Sequence, residues 1–345
     1  MEIVYIFAAI LLTLPIVTPS FYRRENLAGI LLCLGLAFFA WHMGQLFPIM
    51  GGPIWGILTG LVITNVWQKQ GPFTKGIKIA SKRVLQMAIV LFGFGMNLVM
   101  VFEMGRDSLL IIFAVIATAF AVVLILGKAM KSPYNEKVLI GVGSAICGGS
   151  AIAATAPVLE ASDKEVVRAI STIFLFNVLA AFLFPLMGRA MGMSDTVFGI
   201  WAGAAINDTS SVVAAGYVYS DAAGDVATIV KLTRTIMIIP AVLCIALMRP
   251  GKTKVNIMKS FPWFVLAFFL ASVVNTSGLL PVELMSFWGR MGRFLIVTAM
   301  VAIGFGCNIK ELISGGKRPI ILGACCSLAV VSISLLLINL LHGIN

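Results

Sequence analysis

Charge is scarce in this chain. Of its 345 residues, 11% are Asp, Glu, Lys or Arg, less than half the share usual in soluble domains. Histidine occurs twice, at His42 and His342, with no cluster of ligand-type residues around either. The six cysteines (Cys33, Cys147, Cys244, Cys307, Cys325, Cys326) fall inside apolar runs without CxxC or Cys/His spacing, so neither a metal site nor a disulfide framework is expected. They read as small core residues. Walker A, GxSxG and HExxH sequences are absent, which argues against ATP-driven transport by this chain alone and against an intramembrane hydrolase. GxGxxG-like spacings between 141 and 150 sit inside an apolar run rather than after a soluble strand, the wrong context for a nucleotide. No cofactor, no metal and no enzymatic activity are expected.

What the chain has instead is apolar length. Hydrophobic residues make up 60% of it, and the mean hydropathy is +1.04. Apolar windows fall near 3–18, 27–47, 53–67, 84–102, 108–127, 138–159, 169–188, 196–217, 226–248, 261–279, 284–309 and 319–341. This pattern predicts an all-α polytopic membrane protein of about 10–12 transmembrane helices. No loop is long enough to fold by itself, so residues 1–345 read as one transmembrane transporter domain. The first window has no basic residues ahead of it and no cleavage site behind it, and it reads as a retained first span.

The formal charge of +11 does not gather into a basic domain, which leaves nucleic acid out as a partner. When loops are assigned alternately to the two faces, 18 of the 25 Lys and Arg residues, Arg189 among them, fall on one side. The remaining seven are Arg106, Lys164, Arg168, Lys231, Arg234, Arg290 and Arg293. The rich side is cytoplasmic by the positive-inside rule, which places both termini outside and the protein in the bacterial inner membrane as a multi-pass chain. One internal repeat is visible, 91–110 against 302–321. At an offset of 211, Gly93, Phe94, Gly95, Asn97 and Gly105 meet Gly304, Phe305, Gly306, Asn308 and Gly316. An odd number of segments between the copies makes it a candidate inverted repeat, a transporter signature.

Three constellations carry chemistry. The window 138–159 contains Gly141, Gly143, Ser144, Cys147, Gly148, Gly149 and Ser150, then Pro157. Glycine and proline are the poorest helix formers, and lipid tolerates unwound backbone only where protein or a water-filled cavity surrounds it. The reading is a discontinuous helix whose half-helix N-terminus faces an anion; tight packing through small residues is the alternative. In the window 196–217, Asn207, Asp208, Thr209, Ser210 and Ser211 are consecutive in an apolar run. An acid at membrane depth is costly and marks function by default, although Asp208 also suits a structural cap. In the window 226–248, Lys231 and Arg234 are spaced to share a helical face. They either snorkel to the surface or face the interior, as positive charge for an anion or as partners of Asp208.

At KRVLQMAIVLFGFGMNL (82–98), GVGSAICGGSAIAATAPVLEA (141–161), FGIWAGAAINDTSSVVAAG (198–216) and VKLTRTIMIIP (230–240) the sequence resembles the sulfate exporter family, the YeiH-like bacterial inner-membrane proteins. The likeness extends in order from about residue 27 onward. It implies a multi-span transporter of the cation:proton antiporter and anion transporter fold group, with inverted repeats and broken helices, and export of sulfate or a related sulfur oxyanion. The family commonly has a histidine followed by an acid where this chain has Asn207 and Asp208. Asparagine does not titrate, so proton coupling here falls to Asp208 alone.

The combined expectation is a secondary active transporter of a small anion. Ser144, Cys147, Gly148, Gly149, Ser150, Asn207, Thr209, Ser210, Lys231 and Arg234 bind the solute in this reading, and Asp208 couples it to H+ or Na+. Its partners are the anion, the coupling ion, the lipid bilayer and a possible homodimer mate. A cation(Na+)/proton antiporter built on Asp208 is the rival within transport. A passive channel or a non-transporting receptor is the rival outside it.

Overall fold

The structure, a computed structural model, describes residues 24–47, 51–67, 71–248, 262–278, 280–306 and 316–342. The predicted first span (3–18), and Asn308 of the candidate repeat, lie outside the described residues. Every described element is helical: α1 (Arg24–Leu46), α2 (Gly51–Val66), α3 (Thr74–Ile79), α4 (Leu85–Gly93), α5 (Leu98–Ala129), α6 (Tyr134–Ala145), α7 (Gly149–Thr155), α8 (Asp163–Ala190), α9 (Asp195–Ala205), α10 (Thr209–Tyr219), α11 (Asp221–Ile236), α12 (Ile238–Met248), α13 (Trp263–Thr276), α14 (Val282–Phe305) and α15 (Lys317–His342). A π-helical turn at Ala80–Val84 joins α3 to α4. Six described stretches are long and apolar enough to cross a membrane, and α2 and α13 are shorter apolar helices. The chain is thus an all-α polytopic membrane protein.

Contacts divide it into two compact units, Met1–Val101 with Trp263–Asn308 and Phe102–Pro262 with Ile309–Asn345. In the first unit small residues let backbones touch. A Cβ on Gly304 would lie 3.0 Å from the Cα of Gly60, so α2 and α14 meet without side chains between them, the usual solution where lipid offers no hydrophobic drive between helices. The predicted window 84–102 is not one helix. The FGFG turn ends α4 at Gly93, and Asn97 Oδ1 then accepts from the Val99 N–H at 2.8 Å, opening α5 as a cap.

In the second unit the windows at 138–159 and 196–217 are not spans. The Asn135 amide donates to Glu165 Oε2 at 3.4 Å and Arg168 Nη1 lies 3.5 Å from Glu136, so α6 starts where α8 starts. The chain goes in along α6, turns at 146–148 and returns along α7, where a Cβ on Gly143 would stand 2.9 Å from Ile152 Cδ1. From the far end of α8 the mirror arrangement holds. Arg189 donates to the Val218 carbonyl at 2.8 Å, and the Phe198 and Tyr219 rings stack with centroids 3.9 Å apart, so α10 ends beside the start of α9. With about 1.5 Å per residue, α6 reaches roughly 18 Å and α8 roughly 42 Å. Two re-entrant hairpins therefore enter from opposite ends of α8 and meet midway.

This corrects the expected sidedness. Lys164 and Arg168 belong with Lys128, Lys131 and Lys137 at one end of the unit, near Arg318 through Glu136, while Arg189 lies at the other. The positive-inside rule makes the basic end cytoplasmic. Pro157, read as part of the break, sits beyond α7 in the turn that leads back to α8.

Candidate functional site

Each hairpin tip is an interruption with a local cause. In the first, α6 stops at Ala145, and Gly148 takes φ 65°, ψ −129° before α7 begins, a conformation that costs a residue with Cβ about 1–3 kcal/mol. In the second, Ile206 and Asp208 are extended (ψ 135° and 144°) between α9 and α10. Asp208 is the N-cap of α10. Its Oδ2 accepts from the Ser210 N–H at 2.9 Å and, at short range, from the Ser210 hydroxyl. The tips touch: a Cβ on Gly148 would lie 3.2 Å from Asp208 Cβ, 3.3 Å from its Oδ1 and 3.5 Å from Asn177 Nδ2.

Gly148→Ala is accordingly expected to lose about 1–3 kcal/mol of stability and to push the tips apart. Gly149→Ala is its control, since nothing lies within 4 Å of the added methyl. Thermal unfolding of both variants in detergent checks the contrast: a clear fall for the first, none for the second.

Breaking two helices leaves carbonyls without partners at the C-terminal ends of α6 and α9. Lys231 and Arg234, both 0% exposed, supply the donors. The Lys231 ammonium donates to the carbonyls of Ile146 (2.7 Å), Ile206 (2.9 Å) and Asn207. Arg234 donates through Nε to Ala145 (2.7 Å), through Nη1 to Ala204 (2.6 Å) and Ile206 (3.1 Å), and through Nη2 to Ser144. Both cations therefore face the interior and do not snorkel. They tie one hairpin to the other at the negative ends of the half-helix dipoles. All three N–H donors of Lys231 are occupied, so in this conformation it offers a solute its charge and not a hydrogen bond.

The other expected site residues divide. Glycines 141 and 143 pack against α5, α7 and α8 side chains, as the small-residue alternative held, whereas Gly148 makes the break. Cys147 and Ser144 are both buried. Thr209, Ser210 and Ser211 are buried at the start of α10, while Asp208 is half-buried, Gly149 half-buried and Ser150 exposed. Gly149, Ser150 and Asp208 thus form the accessible side of the junction. Sequence reasoning missed Asn177 of α8, 2% exposed, with Nδ2 beside Gly148 and Oδ1 unpartnered. The signal was a single amide within an otherwise apolar transmembrane run. Asn207 Oδ1 is also buried without a partner.

Electrostatically, the junction holds two buried cations against one acid. Lys231 lies in the field of Arg234, Cys147 and Asp208, and among the described residues Asp208 is the one carboxylate that acts on either basic side chain. With both cations and the acid ionised, the balance is +1.

A family model described as Conserved hypothetical protein 698 matches residues 28–323. A UPF0324 membrane protein of Fusobacterium nucleatum is 43% identical over 336 residues, covering 90% of this chain and 97% of that protein. One from Streptococcus pyogenes is 46% identical over 325 residues (90% and 96%), and one from Streptococcus mutans 42% over 331 (91% and 96%). With both hairpins and the cation pair inside the matched region, this multi-pass protein of the bacterial inner membrane belongs to the UPF0324 family of membrane proteins.

Proposed function

We propose that the protein is a secondary active transporter, not an enzyme, and that it moves a small anion held where the hairpin tips meet. The observation that carries this reading is the pair of fully buried basic side chains at that point, Lys231 and Arg234, with Asp208 at the same junction. An anion brought beside them offsets a charge that the bilayer otherwise makes expensive, and it accepts hydrogen bonds without needing donors in return. The exposure of Ser150 and the partial exposure of Asp208 support a route to the junction on the side of α7 and α10. Asp208 is the proposed coupling group, with H+ as coupling ion. The resemblance to the sulfate exporter family makes sulfate or another sulfur oxyanion the first solute to try.

A sodium-coupled or sodium/proton reading has one specific observation behind it. Asn177 Oδ1 and Asn207 Oδ1 are buried acceptors without donors, on residues of α8 and of the second hairpin tip, and amide and carboxylate oxygens are the ligands a hard cation takes.

Uptake of labelled sulfate into proteoliposomes, with and without a pH gradient and with sulfite, taurine, a small dicarboxylate and sodium as competitors, tests these readings. Saturable, gradient-driven sulfate accumulation supports the anion transporter and excludes a channel. Sodium-dependent flux indifferent to every anion favours the cation reading, and no flux of any kind favours a receptor.

A further inference from the structure

The base of the α6–α7 hairpin holds a carboxylate with no part in the junction. Glu136, in the first turn of α6, is 2% exposed. Its contact with Arg168 is 3.5 Å long, and no donor reaches Oε2 with hydrogen-bond geometry. Arg168 is itself half in solvent, with 53% of its side chain exposed. The neighbouring acid is differently placed. Glu165 Oε2 accepts from the Ser162 N–H and hydroxyl, both at 2.8 Å, and from Asn135, closing the capping box of α8. Glu136 is thus a buried carboxylate whose Oε2 has the long Arg168 ion pair and no shorter hydrogen bond, at the point where the hairpin is fastened to α8. The opposite hairpin is fastened without a buried acid, by Tyr219 donating to the Met193 carbonyl and Arg189 to that of Val218.

We propose that Glu136 is a proton-binding site at the base of the α6–α7 hairpin, and that its occupancy sets how firmly the hairpin is closed against α8. Its use in transport rests on the function proposed above; the hairpin's response to protons does not.

The charged groups facing Glu136 are Arg168 and Glu165 of α8 and Arg318 of α15. Burial pushes the Glu136 carboxyl above its ordinary value, against the pull of Arg168 and Arg318 and with the repulsion of Glu165. The sign follows from linkage. A closed hairpin that buries Glu136 binds a proton more tightly than an open one in which water reaches the carboxylate. Closure is therefore strengthened as pH falls through the raised value and weakened above it, by up to about tenfold in the closed-to-open ratio per pH unit until the ordinary carboxylate value near about 4.3 is reached.

Hydrogen exchange of the full-length protein in nanodiscs, corrected for the intrinsic pH dependence of amide chemistry, reads closure directly. Protection of residues 149–161 is expected to rise as pH is lowered, while the middle of α8 does not change. Glu136→Gln, which fixes the neutral form, is expected to hold 149–161 at its low-pH protection at every pH. Arg168→Met, a change at a half-exposed side chain, removes a charge that favours ionisation and is expected to carry the onset to higher pH. Protection that follows intrinsic chemistry alone, a Glu136→Gln variant with the native pH response, or an Arg168→Met onset identical to the native one would each overturn the proposal. If Glu136→Gln does not fold, Arg168→Met decides. A pH-responsive hairpin in a protein that carries no solute keeps the proton site and retires the transport reading; anion flux with an unresponsive hairpin does the reverse.

Discussion

Arg234→Met is expected to leave little folded protein. The guanidinium holds Ser144 and Ala145 of one hairpin and Ala204 and Ile206 of the other. Methionine fills much of the volume and offers none of the donors. Breaking a buried charged arrangement by removing one member costs about 3–5 kcal/mol, a large share of the roughly 5–15 kcal/mol that separates a folded domain from its unfolded state. Arg234→Lys is expected to be intermediate, because an ammonium has three N–H groups for four carbonyls. The check is the monodisperse fraction and unfolding temperature of purified variants, with Arg189→Met as reference. Arg189 makes one bond to a hairpin base, so its loss is expected to be small. Native-like stability in Arg234→Met would mean that the hairpins are held together by other contacts.

Asp208→Asn, in contrast, is expected to fold and to lose its response to a pH gradient. The carboxylate serves α10 as an N-cap through one oxygen, and asparagine caps a helix about as well as aspartate. What disappears is the carboxylate that the proposed coupling requires. One proton moved per solute across one pH unit supports about tenfold accumulation, because a unit of pH is worth about 1.36 kcal/mol. The variant is expected to show none. Exchange of labelled for unlabelled anion without a gradient is expected to persist, with KM unchanged or lower, since the junction becomes more positive. Unchanged pH-driven accumulation would remove Asp208 from the coupling step.

The helical, polytopic character was legible from hydropathy, and both interruptions were legible from chemistry: glycines around 148, and five consecutive polar residues from Asn207. Whether those segments crossed the membrane was not. α6, its turn and α7 together fill a window as long as a span, and hydropathy measures length without direction. The clues to a return were present, in Pro157 and in the Ser162 and Glu165 pattern that caps α8, but each fits a loop on either face. The acceptors of Lys231 and Arg234 were equally hidden. Spacing put the two cations on one face, yet their partners are backbone carbonyls 24 to 90 positions earlier, brought there only by the hairpins. Backbone acceptors have no residue code, which is why side-chain partners and a solute were weighed for these cations and the hairpin ends were not.

The same separation sets an order of assembly. The carbonyls at the end of α6 are made 85 to 90 residues before the cations that satisfy them, an interval of roughly 4–18 s at synthesis rates of about 5–20 residues per second. Through that interval the first hairpin has a polar tip and no counterpart, and the second is still emerging. A nascent chain held on the ribosome short of Lys231 would therefore present both tips unfinished, open to water or to the insertion machinery. Release of α11 into the unit is the event that withdraws both from lipid together.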